Sequence, residues 1–540
     1  MAASQPEHAA SAEARVPSRI SSRQYQQSIV DSVLKKGNTL VVLPTGLGKT
    51  LIGALVMEHF VKQGKRCMFL APTRPLVTQH VKRLGEYFHS LGYRINAVTG
   101  QVARTDREHL YHNSDIIVAT PQTIRNDIAR SKPSEGSAAQ VRGGSEKSSD
   151  PEHSIMSHFS CLVVDECHRA IGQYAYTEVA KAAIETDGIL ILGLTASPGG
   201  KMEKIREIMD AMSIANVEIR TEEDADVSKH VQPMRMEWIE VDLSKEIAEA
   251  VALLGELMDE KVAVLQQFGM QISKKTARGR LSQIYRSLIE HRNMAALGHF
   301  AIFYNAFHGA ELLETEGPYA FIKFTERLLE RKKNRIDWRF TQAMNKVRAL
   351  EHPKMALLMR LLKEREGKRI IVFAQYRDQV AHIVETINAA GFKSKQFLGK
   401  GKGGVATQKV QKETLEEFGR GDFDILVASS IGEEGIDVPA ADTAIFFEPV
   451  PSEIRSIQRR GRVGRAKEGE VLILVTRGTR DETFRYVSAA REKKMKGIIR
   501  KLSTGEIKHR PRKKKTDADG PEHKPDPNQT EQVGISSFFK

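Results

Sequence analysis

From residue 20 to residue 227, hydrophobic residues fall into short, nearly continuous runs separated by segments with helical spacing. Runs of this kind are typical of parallel strands that helices cover on both faces of a sheet. The runs are 39–43, 67–71, 116–120, 161–165 and 189–195. The pattern therefore predicts a parallel α/β domain over residues 20–227, preceded by a disordered tail at 1–19. Residues 131–154, rich in Ser and Gly, predict a flexible surface insertion in this domain.

The pattern changes after residue 227. Residues 228–350 carry hydrophobic residues at helical spacing and almost no strand pattern, which predicts a domain of several antiparallel helices. Strand–helix alternation then returns and predicts a second parallel α/β domain over residues 351–500, with hydrophobic runs at 369–375, 424–430, 443–449 and 470–476. Residues 501–540 are predicted to be a basic, disordered tail. The expected fold class is α/β, with two parallel-sheet domains and an all-helical domain inserted between them.

Composition narrows the class of protein. The 540 residues include 82 Lys and Arg against 68 Asp and Glu, which gives a formal net charge of +14. This surplus suits a polyanionic partner, although a merely well-solvated basic surface explains it equally well. Three cysteines without a CxxC pair argue against a disulfide framework and a four-cysteine zinc site. The sequence shows no secretory signal and no membrane-length apolar run, so we expect a soluble intracellular protein.

A phosphate-binding loop is predicted at 43–50, LPTGLGKT, because it follows a predicted strand and precedes a helical run. Its two glycines would let backbone amides face the phosphates of a nucleotide. Lys49 would reach the β- and γ-phosphates, and the Thr50 hydroxyl would bind Mg²⁺. The loop residues predicted to bind ATP are Thr45, Gly46, Leu47, Gly48, Lys49 and Thr50.

Two further segments carry residues suited to phosphoryl transfer. In 162-LVVDECH-168, Asp165 would hold Mg²⁺ and Glu166 would orient or deprotonate the attacking water, although the alternative is a solvated acidic turn. In 458-QRRGRVGR-465, Arg462 and Arg465 would stabilise the transferred phosphate when the cleft between the two α/β domains closes. A solvated or nucleic-acid-facing basic stripe is the alternative there. The predicted catalytic residues are Lys49, Asp165, Glu166, Gln458, Arg462 and Arg465.

The ordered series of motifs resembles the superfamily 2 helicases. Beside the three segments above, the matching motifs are 23-RQYQ-26, 71-APTRPL-76, 120-TPQT-123, 195-TAS-197 and 427-VASSIGEEGIDVP-439. The segments after the DECH box and before the arginine motif, together with the helical insertion, are similar to archaeal Hef. They also resemble its eukaryotic relative, the Fanconi anaemia group M helicase. The resemblance implies two RecA-like domains that bind Mg²⁺ and ATP, and a DNA strand across them.

The resemblance also implies roles for single residues. Arg23 and Gln26 would recognise adenine, and Gly435 and Asp437 would complete the ATP site, with Asp437 at the ribose. Contacts to the phosphates of one DNA strand would come from Arg74, Thr120 and Ser429. Thr195 and Ser197 would couple hydrolysis to strand movement. Taken singly, each of these hydroxyls would be better explained by local capping of the backbone.

The helical insertion is expected to grip branched DNA. Lys274, Lys275 and Arg278 belong to a basic cluster that could neutralise phosphates, although nearby acids make an ordinary salt-bridged surface equally plausible. The segment 329-LERKKNRID-337 matches the ERK-x3-D core of the Hef nuclease incompletely, since Asp337 falls one position late. We therefore expect a basic helix face there and no nuclease in this chain. A separate nuclease would be a possible partner.

The end of the sequence, 532-QVGISSFF-539, resembles the motif that docks on sliding clamps of the proliferating cell nuclear antigen type. Gln532 would enter a polar pocket, while Ile535, Phe538 and Phe539 would form an apolar plug. A frayed hydrophobic terminus is the alternative.

Together these features predict an ATP-dependent DNA helicase or translocase that acts on forked or branched DNA in replication-fork repair and is tethered to the clamp. The alternatives are a double-stranded RNA translocase of the RIG-I or Dicer type, or an ATP-independent clamp-tethered scaffold. The resemblance places such a protein at the nucleoid in a prokaryote and in the nucleus in a eukaryote.

Overall fold

A computed structural model describes nine stretches of the chain. They are residues 22–131, 155–172, 174–199, 201–230, 234–331, 336–398, 408–429, 441–449 and 469–503. The described residues divide into two compact units: the first ends at Lys229, and the second contains every described residue from Met234 onward. None of the helices described here is both long and apolar enough to cross a membrane.

The first unit is built on a parallel sheet of seven strands in the order β3-β4-β2-β5-β6-β1-β7. Its strands are β1 Thr39–Val42, β2 Cys67–Leu70, β3 Ile95–Val98, β4 Ile116–Ala119, β5 Cys161–Asp165, β6 Leu190–Thr195 and β7 Asn216–Ile219. Its helices are α1 Gln24–Lys36, α2 Lys49–Val61, α3 Arg74–His89, α4 Arg104–Asn113, α5 Pro121–Ser131, α6 Ala175–Glu185 and α7 Met202–Ala211. Because the strands are parallel, their carboxyl ends lie along one edge, where ligands of such sheets bind.

The second unit has a parallel sheet of six strands in the order β10-β11-β9-β12-β13-β8. Its strands are β8 Met234–Val241, β9 Ile370–Ala374, β10 Ser394–Phe397, β11 Ile425–Ser429, β12 Thr443–Phe446 and β13 Gly469–Thr476. Five helices precede β9 in a group of their own: α8 Lys245–Gln267, α9 Arg278–Glu290, α10 Met294–Thr315, α11 Pro318–Arg331 and α12 Trp338–Val347. The remaining helices are α13 Pro353–Lys363, α14 Arg377–Ala389, α15 Gln408–Arg420 and α16 Arg480–Ser503.

Helices α8 to α12 form a helical domain with its own hydrophobic core. Phe300, Phe303 and Phe321 are fully buried in this core. The central helix α10 packs closely against its neighbours at Gly309, where a Cβ atom would come 3.0 Å from the Phe321 ring and 3.2 Å from Leu254. A larger residue would force these helices apart, so the glycine sets their separation.

The predicted fold class is confirmed, with two parallel sheets and an intervening helical domain. One strand departs from the expectation: β8, at Met234–Val241, lies in the range 228–350 that was predicted to be helical. It pairs with β13 at the edge of the second sheet and contains no fully buried residue among its described side chains. This edge strand has no continuous hydrophobic run, and its signal is instead the apolar–polar alternation of residues 234–238, which the expectation of buried runs did not cover.

Candidate nucleotide and nucleic-acid site

The loop between β1 and α2 has the backbone conformation of a phosphate cradle. Gly46 and Gly48 adopt left-handed φ values of 84° and 83°, which glycine tolerates and other residues adopt only with strain. Helix α2 begins at Lys49, directly after the second glycine. The amides of a helix start, together with the helix dipole, favour an anion in the loop.

Lys49 lies at this loop. Its Nζ donates to the carbonyl oxygens of Leu43 at 3.0 Å and Pro44 at 3.4 Å. The ammonium group therefore stands beside the cradle and can serve phosphate oxygens. Its charge also acts on Glu166 and helps to lower the pKa of that carboxyl, so the two predicted catalytic residues share one electrostatic environment.

The start of α1 is hydrogen-bonded to the same loop. Gln26, 3% exposed, donates from Nε2 to the Leu47 carbonyl at 3.0 Å and accepts from the Arg23 amide at 2.9 Å. A Cβ atom on Gly48 would come 2.4 Å from Gln26 Nε2. The motif predicted to recognise adenine is therefore in contact with the loop predicted to hold phosphate.

Sequence reasoning missed Tyr25, which belongs to this contact. Its hydroxyl donates to the Leu47 carbonyl at 2.7 Å, and the side chain is fully buried. The partner lies 22 residues away along the chain, and a tyrosine inside an amphipathic helix gives no signal of such a bond. The motif around Gln26 could have drawn attention to its neighbour.

Asp165, the predicted Mg²⁺ ligand, ends β5 and is 8% exposed. His80 on α3 donates from Nε2 to its carboxylate at 3.0 Å. The Tyr176 hydroxyl donates to the Asp165 backbone carbonyl at 2.9 Å. These contacts fix the orientation of the carboxylate, as supporting hydrogen bonds commonly do at metal sites. Neither His80 nor Tyr176 was predicted as a site residue, because both bonds form only when distant segments pack together.

Glu166 adopts an unusual backbone conformation for a residue other than glycine, with φ 51° and ψ 44°. Such left-handed residues are uncommon and cluster at functional sites. Burial alone would raise the pKa of Glu166, but its contact with His168 and the charges of Lys49 and Arg169 outweigh this and lower the pKa to about 2. Glu166 is therefore ionised at neutral pH.

His168 links this carboxylate to the predicted coupling motif. Its Nδ1 lies 3.2 Å from Glu166 Oε2 and 3.1 Å from Thr195 Oγ1. Thr195 in turn donates to the Ser197 carbonyl at 3.0 Å and accepts from the Ser197 amide at 3.1 Å. A polar chain thus runs from the ionised Glu166 to Ser197 at the carboxyl end of β6, and its first step, from Glu166 Oε2 to His168, is a charge contact rather than a hydrogen bond. His168 belongs to the DECH segment, but its role as the connection was not predicted.

The donor set suits Mg²⁺ and a nucleotide triphosphate. The Lys49 ammonium and the Thr50 hydroxyl belong to the start of α2, which follows β1. The carboxylates of Asp165 and Glu166 belong to the end of β5. Both places lie at the carboxyl edge of the first sheet. Mg²⁺ typically takes one or two protein oxygens and completes its shell with phosphate and water. Thr50 and Asp165 are the residues that would hold it.

The predicted nucleic-acid contacts of the first unit occupy strand ends and helix starts. Arg74 is exposed at the start of α3. A Cβ atom on Gly100 would lie 3.3 Å from the Arg74 guanidinium and 4.0 Å from the Thr123 hydroxyl, so this glycine lies between the two. Thr120 is 6% exposed, and its hydroxyl bonds to Thr123 at 2.8 Å. Thr123, which was not predicted as a site residue, joins Arg74 and Thr120 in one polar cluster.

The residues of the second unit that were predicted to contact DNA differ in exposure and in hydrogen bonding. Ser429 ends β11 at 1% exposure, and its hydroxyl has no hydrogen-bond partner among the described residues. Lys275 is exposed, and Lys274 forms a surface ion pair with Asp259 at 2.6 Å. Both lysines remain candidates for phosphate contact, because exposed ion pairs of this kind are weak.

Arg278 is partly exposed, with 39% of its side-chain surface accessible, while its guanidinium is bound to buried partners. Its guanidinium donates to the buried carboxylate of Glu311 and to the Tyr376 hydroxyl, the latter at 3.3 Å. Burial alone would lower the pKa of Arg278, but the charge of Glu311 raises it. The Arg278 guanidinium is the main cation of the buried Glu311, and its contact with DNA stays a prediction.

Asp337, the late acid of the incomplete nuclease pattern, caps α12. Its carboxylate accepts from the Arg339 amide at 3.0 Å and pairs with the Arg339 guanidinium at 2.9 Å. This carboxylate has a structural use as a helix cap.

Several predicted residues lie outside the described part of the chain. These are Gln458, Arg462 and Arg465 of the arginine motif, Gly435 and Asp437 of the ATP site, and Gln532, Ile535, Phe538 and Phe539 of the clamp motif.

Two family models match this chain: the DEAD/DEAH box helicase model over residues 23–205 and the helicase conserved C-terminal domain over residues 353–467. These matches contain the phosphate loop, the DECH segment and most strands of both sheets. The class of protein is thus a DEAD/DEAH box helicase of two α/β units.

Similarity to single proteins narrows this class. The crystal structure of the Pyrococcus furiosus Hef helicase domain is similar with a TM-score of 0.63 and 35% sequence identity, covering 86% of this chain and 98% of that one. A putative ATP-dependent RNA helicase of Methanocaldococcus jannaschii is 35% identical over 90% of this chain. The ATP-dependent DNA helicase fml1 of Schizosaccharomyces pombe is 30% identical over 92% of it. The chain spans 62% of the length of each of these two relatives.

The chain belongs to the Hef and Fanconi anaemia group M family of helicases, as its motifs indicated.

Proposed function

We propose that this protein is an ATP-dependent DNA helicase or translocase that acts on forked or branched DNA. The observation that carries the proposal is the polar chain from Glu166 through His168 to Thr195, beside a glycine loop that presents Lys49. A carboxylate fixed in this way can respond to the γ-phosphate, and its polar partners can pass the response to the DNA-facing motifs.

The residues of the first unit divide the work. Lys49 and the loop amides bind the phosphates, and Thr50 and Asp165 hold Mg²⁺, which neutralises phosphate charge when bound. Glu166 accepts a hydrogen bond from the attacking water and orients it. Since its pKa is about 2, Glu166 is a weak base, and its contribution is positioning rather than storage of a proton. Phosphoryl transfer passes through a loose transition state, so it depends more on positioning the water than on removing its proton. The predicted arginines Arg462 and Arg465 would supply the remaining charge.

Two observations favour DNA over RNA as the polymer on which the protein acts. The motifs match the Hef-like group, and the similar fission yeast protein is called a DNA helicase. The similar archaeal protein is called a putative RNA helicase, which keeps a double-stranded RNA translocase as the second candidate. The two candidates differ in which polymer stimulates ATP hydrolysis.

The function is tested by measuring ATP turnover with forked DNA, linear DNA and duplex RNA, in the wild type and in Lys49→Ala. We expect forked DNA to stimulate the wild type most and Lys49→Ala to abolish turnover. The matched control is Lys62→Ala, since Lys62 follows the same helix and pairs only at its surface with Glu58 at 2.7 Å. Unchanged turnover in Lys49→Ala would refute the site, and stronger stimulation by duplex RNA would favour the second candidate.

Clamp tethering is a separate part of the proposal and rests on the sequence of residues 532–539. A double substitution of Phe538 and Phe539 by Ala should abolish capture by an immobilised sliding clamp while leaving ATP turnover unchanged, because the motif acts through its buried aromatics. Equal capture of the wild type and the variant would contradict the tether. Capture that persists in Lys49→Ala would show that tethering is independent of hydrolysis.

A further inference from the structure

A fully buried lysine lies where the helical domain meets the second sheet. Lys354, at the start of α13, is 0% exposed, and its Nζ pairs with Asp481 at 2.5 Å. It also donates to the carbonyl of Thr315, the last residue of α10, at 3.0 Å. A lysine is almost never fully buried unless it is paired. The burial of Lys354 therefore depends on its specific partners.

The partners of Lys354 come from separate elements. Asp481, at the start of α16, also accepts from the Thr476 amide at the end of β13, at 2.9 Å. The Phe447 ring, one residue beyond β12, lies 5.4 Å from the lysine nitrogen. One cation therefore joins α10 of the helical domain to β12, β13 and α16 of the sheet domain.

The charge of this lysine also acts on Glu316, and Glu316 in turn interacts with Glu448. Glu316, directly after α10, is 1% exposed, and neither of its carboxyl oxygens has a hydrogen-bond partner among the described residues. Glu448, next to Phe447, is 4% exposed. Burial and the charge of Glu448 raise the pKa of Glu316, while Lys354 acts in the opposite direction. We call Lys354, Asp481, Glu316, Phe447 and Glu448 the lysine cluster.

Close backbone packing holds the lysine cluster in place. Gly317 follows Glu316 with φ 114°, and a Cβ atom there would come 2.7 Å from His352 Cβ. His352 accepts from the Lys354 amide at Nδ1 and therefore donates from Nε2 to the Glu314 carbonyl, at 3.1 and 3.3 Å. Burial lowers the pKa of His352 to about 3, so it stays neutral beside the lysine. The turn after α10 thus cannot shift without disturbing the start of α13.

We infer that the lysine cluster positions the end of β12 in response to the helical domain, and so couples nucleic-acid binding there to ATP hydrolysis. The chain continues from Glu448 towards Gln458, Arg462 and Arg465. A displacement of α10 changes the position of Thr315 and Glu316, and the shared cation transmits this change to Phe447 and Glu448. The inference rests on the proposed function, since it requires that nucleic acid stimulates hydrolysis. Lys354 and Asp481 are positioning residues in this scheme.

The test is the double variant Lys354→Met with Asp481→Asn. Replacing both charges with neutral groups of similar size avoids an unpaired buried ion, a change that is often tolerated. We expect basal ATP turnover and the affinity for forked DNA to stay within about twofold of wild type, while stimulation by DNA falls about tenfold, a typical strength for coupling between sites. The matched control is Lys346→Met with Glu249→Gln, which removes an exposed pair at 2.6 Å between α12 and α8.

A folded double variant with normal stimulation would overturn the inference and leave the cluster a purely structural device. If the double variant does not fold, Phe447→Leu takes its place, with Phe446→Leu as its control. Phe446 packs on the opposite face of the sheet, stacked on Phe373 at 5.0 Å. A selective loss of stimulation in Phe447→Leu supports the inference, and equal behaviour of the two variants contradicts it. An absence of nucleic-acid stimulation in the wild type would instead refute the proposed function.

Discussion

The polar residues at the strand ends of the first sheet and those of the second sheet are arranged in different ways. In the first unit, Glu166, His168 and Thr195 form an open chain in which an ionised carboxylate stands beside the phosphate loop. In the second unit, Lys354 and Asp481 form a closed pair at 0% exposure. The same sheet edge thus holds the proposed nucleotide site in one unit and contacts a neighbouring helical domain in the other.

The difference follows from what covers each edge. Helices of the helical domain pack over the ends of β12 and β13, and a buried charge there must find its partner inside the protein. A nucleotide site must keep its charges available for a ligand that arrives from water. We therefore expect substitutions in the two groups to have different main effects: loss of turnover at the first edge and loss of stability at the second.

The largest effect is expected for Lys354→Met alone. This change leaves Asp481 buried without its cation, and removing one member of a buried pair costs about 3–5 kcal/mol. The free energy of unfolding, measured by urea denaturation, should fall by this amount. A loss below about 1 kcal/mol, the size of an ordinary surface effect, would show that the pair is not the fixed element described here.

Glu166→Gln should act chiefly on turnover. Loss of the carboxylate that orients water should lower ATP turnover by about 10²-fold or more, the usual contribution of such a group. The free energy of unfolding should also fall at neutral pH, because the lowered pKa of Glu166 means that its charged form stabilises the folded state and the amide carries no charge. Turnover assays and urea denaturation on the same samples check both statements, with the exposed Glu185→Gln as control. Turnover near the wild-type rate would remove Glu166 from the mechanism.

The central strands of both sheets were predictable from hydrophobic runs in the sequence, whereas the edge strands were not. Strands buried on both faces, such as β5 and β11, read as continuous hydrophobic runs. The four edge strands β3, β7, β8 and β10 contain polar residues such as Asn96, Glu218 and Lys395, which interrupt their hydrophobic runs. Their pairing depends on an adjacent strand that is distant in sequence, so hydrophobic runs alone could not reveal them.

A similar division applies to the candidate site. Lys49 and Asp165 were predictable because they sit at fixed positions within short motifs. His80 bonds to Asp165 across 85 residues, and Lys354 pairs with Asp481 across a much longer stretch of sequence. Neither contact leaves a local pattern. The pairing of Arg278 with the buried Glu311 likewise leaves no local pattern, since the two residues lie 33 positions apart.

A smaller effect is expected from Glu316→Gln, and it depends on pH. The folded state raises the pKa of Glu316 above its ordinary value, mainly through burial. A raised pKa means that the contribution of Glu316 to stability is complete below the unfolded pKa and is lost as pH rises through the folded pKa. Glu316→Gln mimics the neutral form, so the variant should lose less stability than wild type as the pH rises from below the unfolded pKa of about 4.3 through the raised folded pKa. Urea denaturation at several pH values measures the difference. Parallel curves for the two proteins would contradict a raised pKa for Glu316.

The smallest effect is expected for Lys346→Met, which breaks the exposed pair with Glu249 at 2.6 Å. Lys346 and Glu249 are 37% and 43% exposed, so water replaces the lost partner and the free energy of unfolding should change by at most about 0.5 kcal/mol. The N–O distance in this exposed pair is close to the 2.5 Å of the buried pair of Lys354 and Asp481. Comparing the two pairs therefore separates the effect of distance from that of burial. If Lys346→Met were as destabilising as Lys354→Met, burial would not be the cause of the larger loss, and the contrast between the two sheet edges would have to be explained by ion-pair geometry instead.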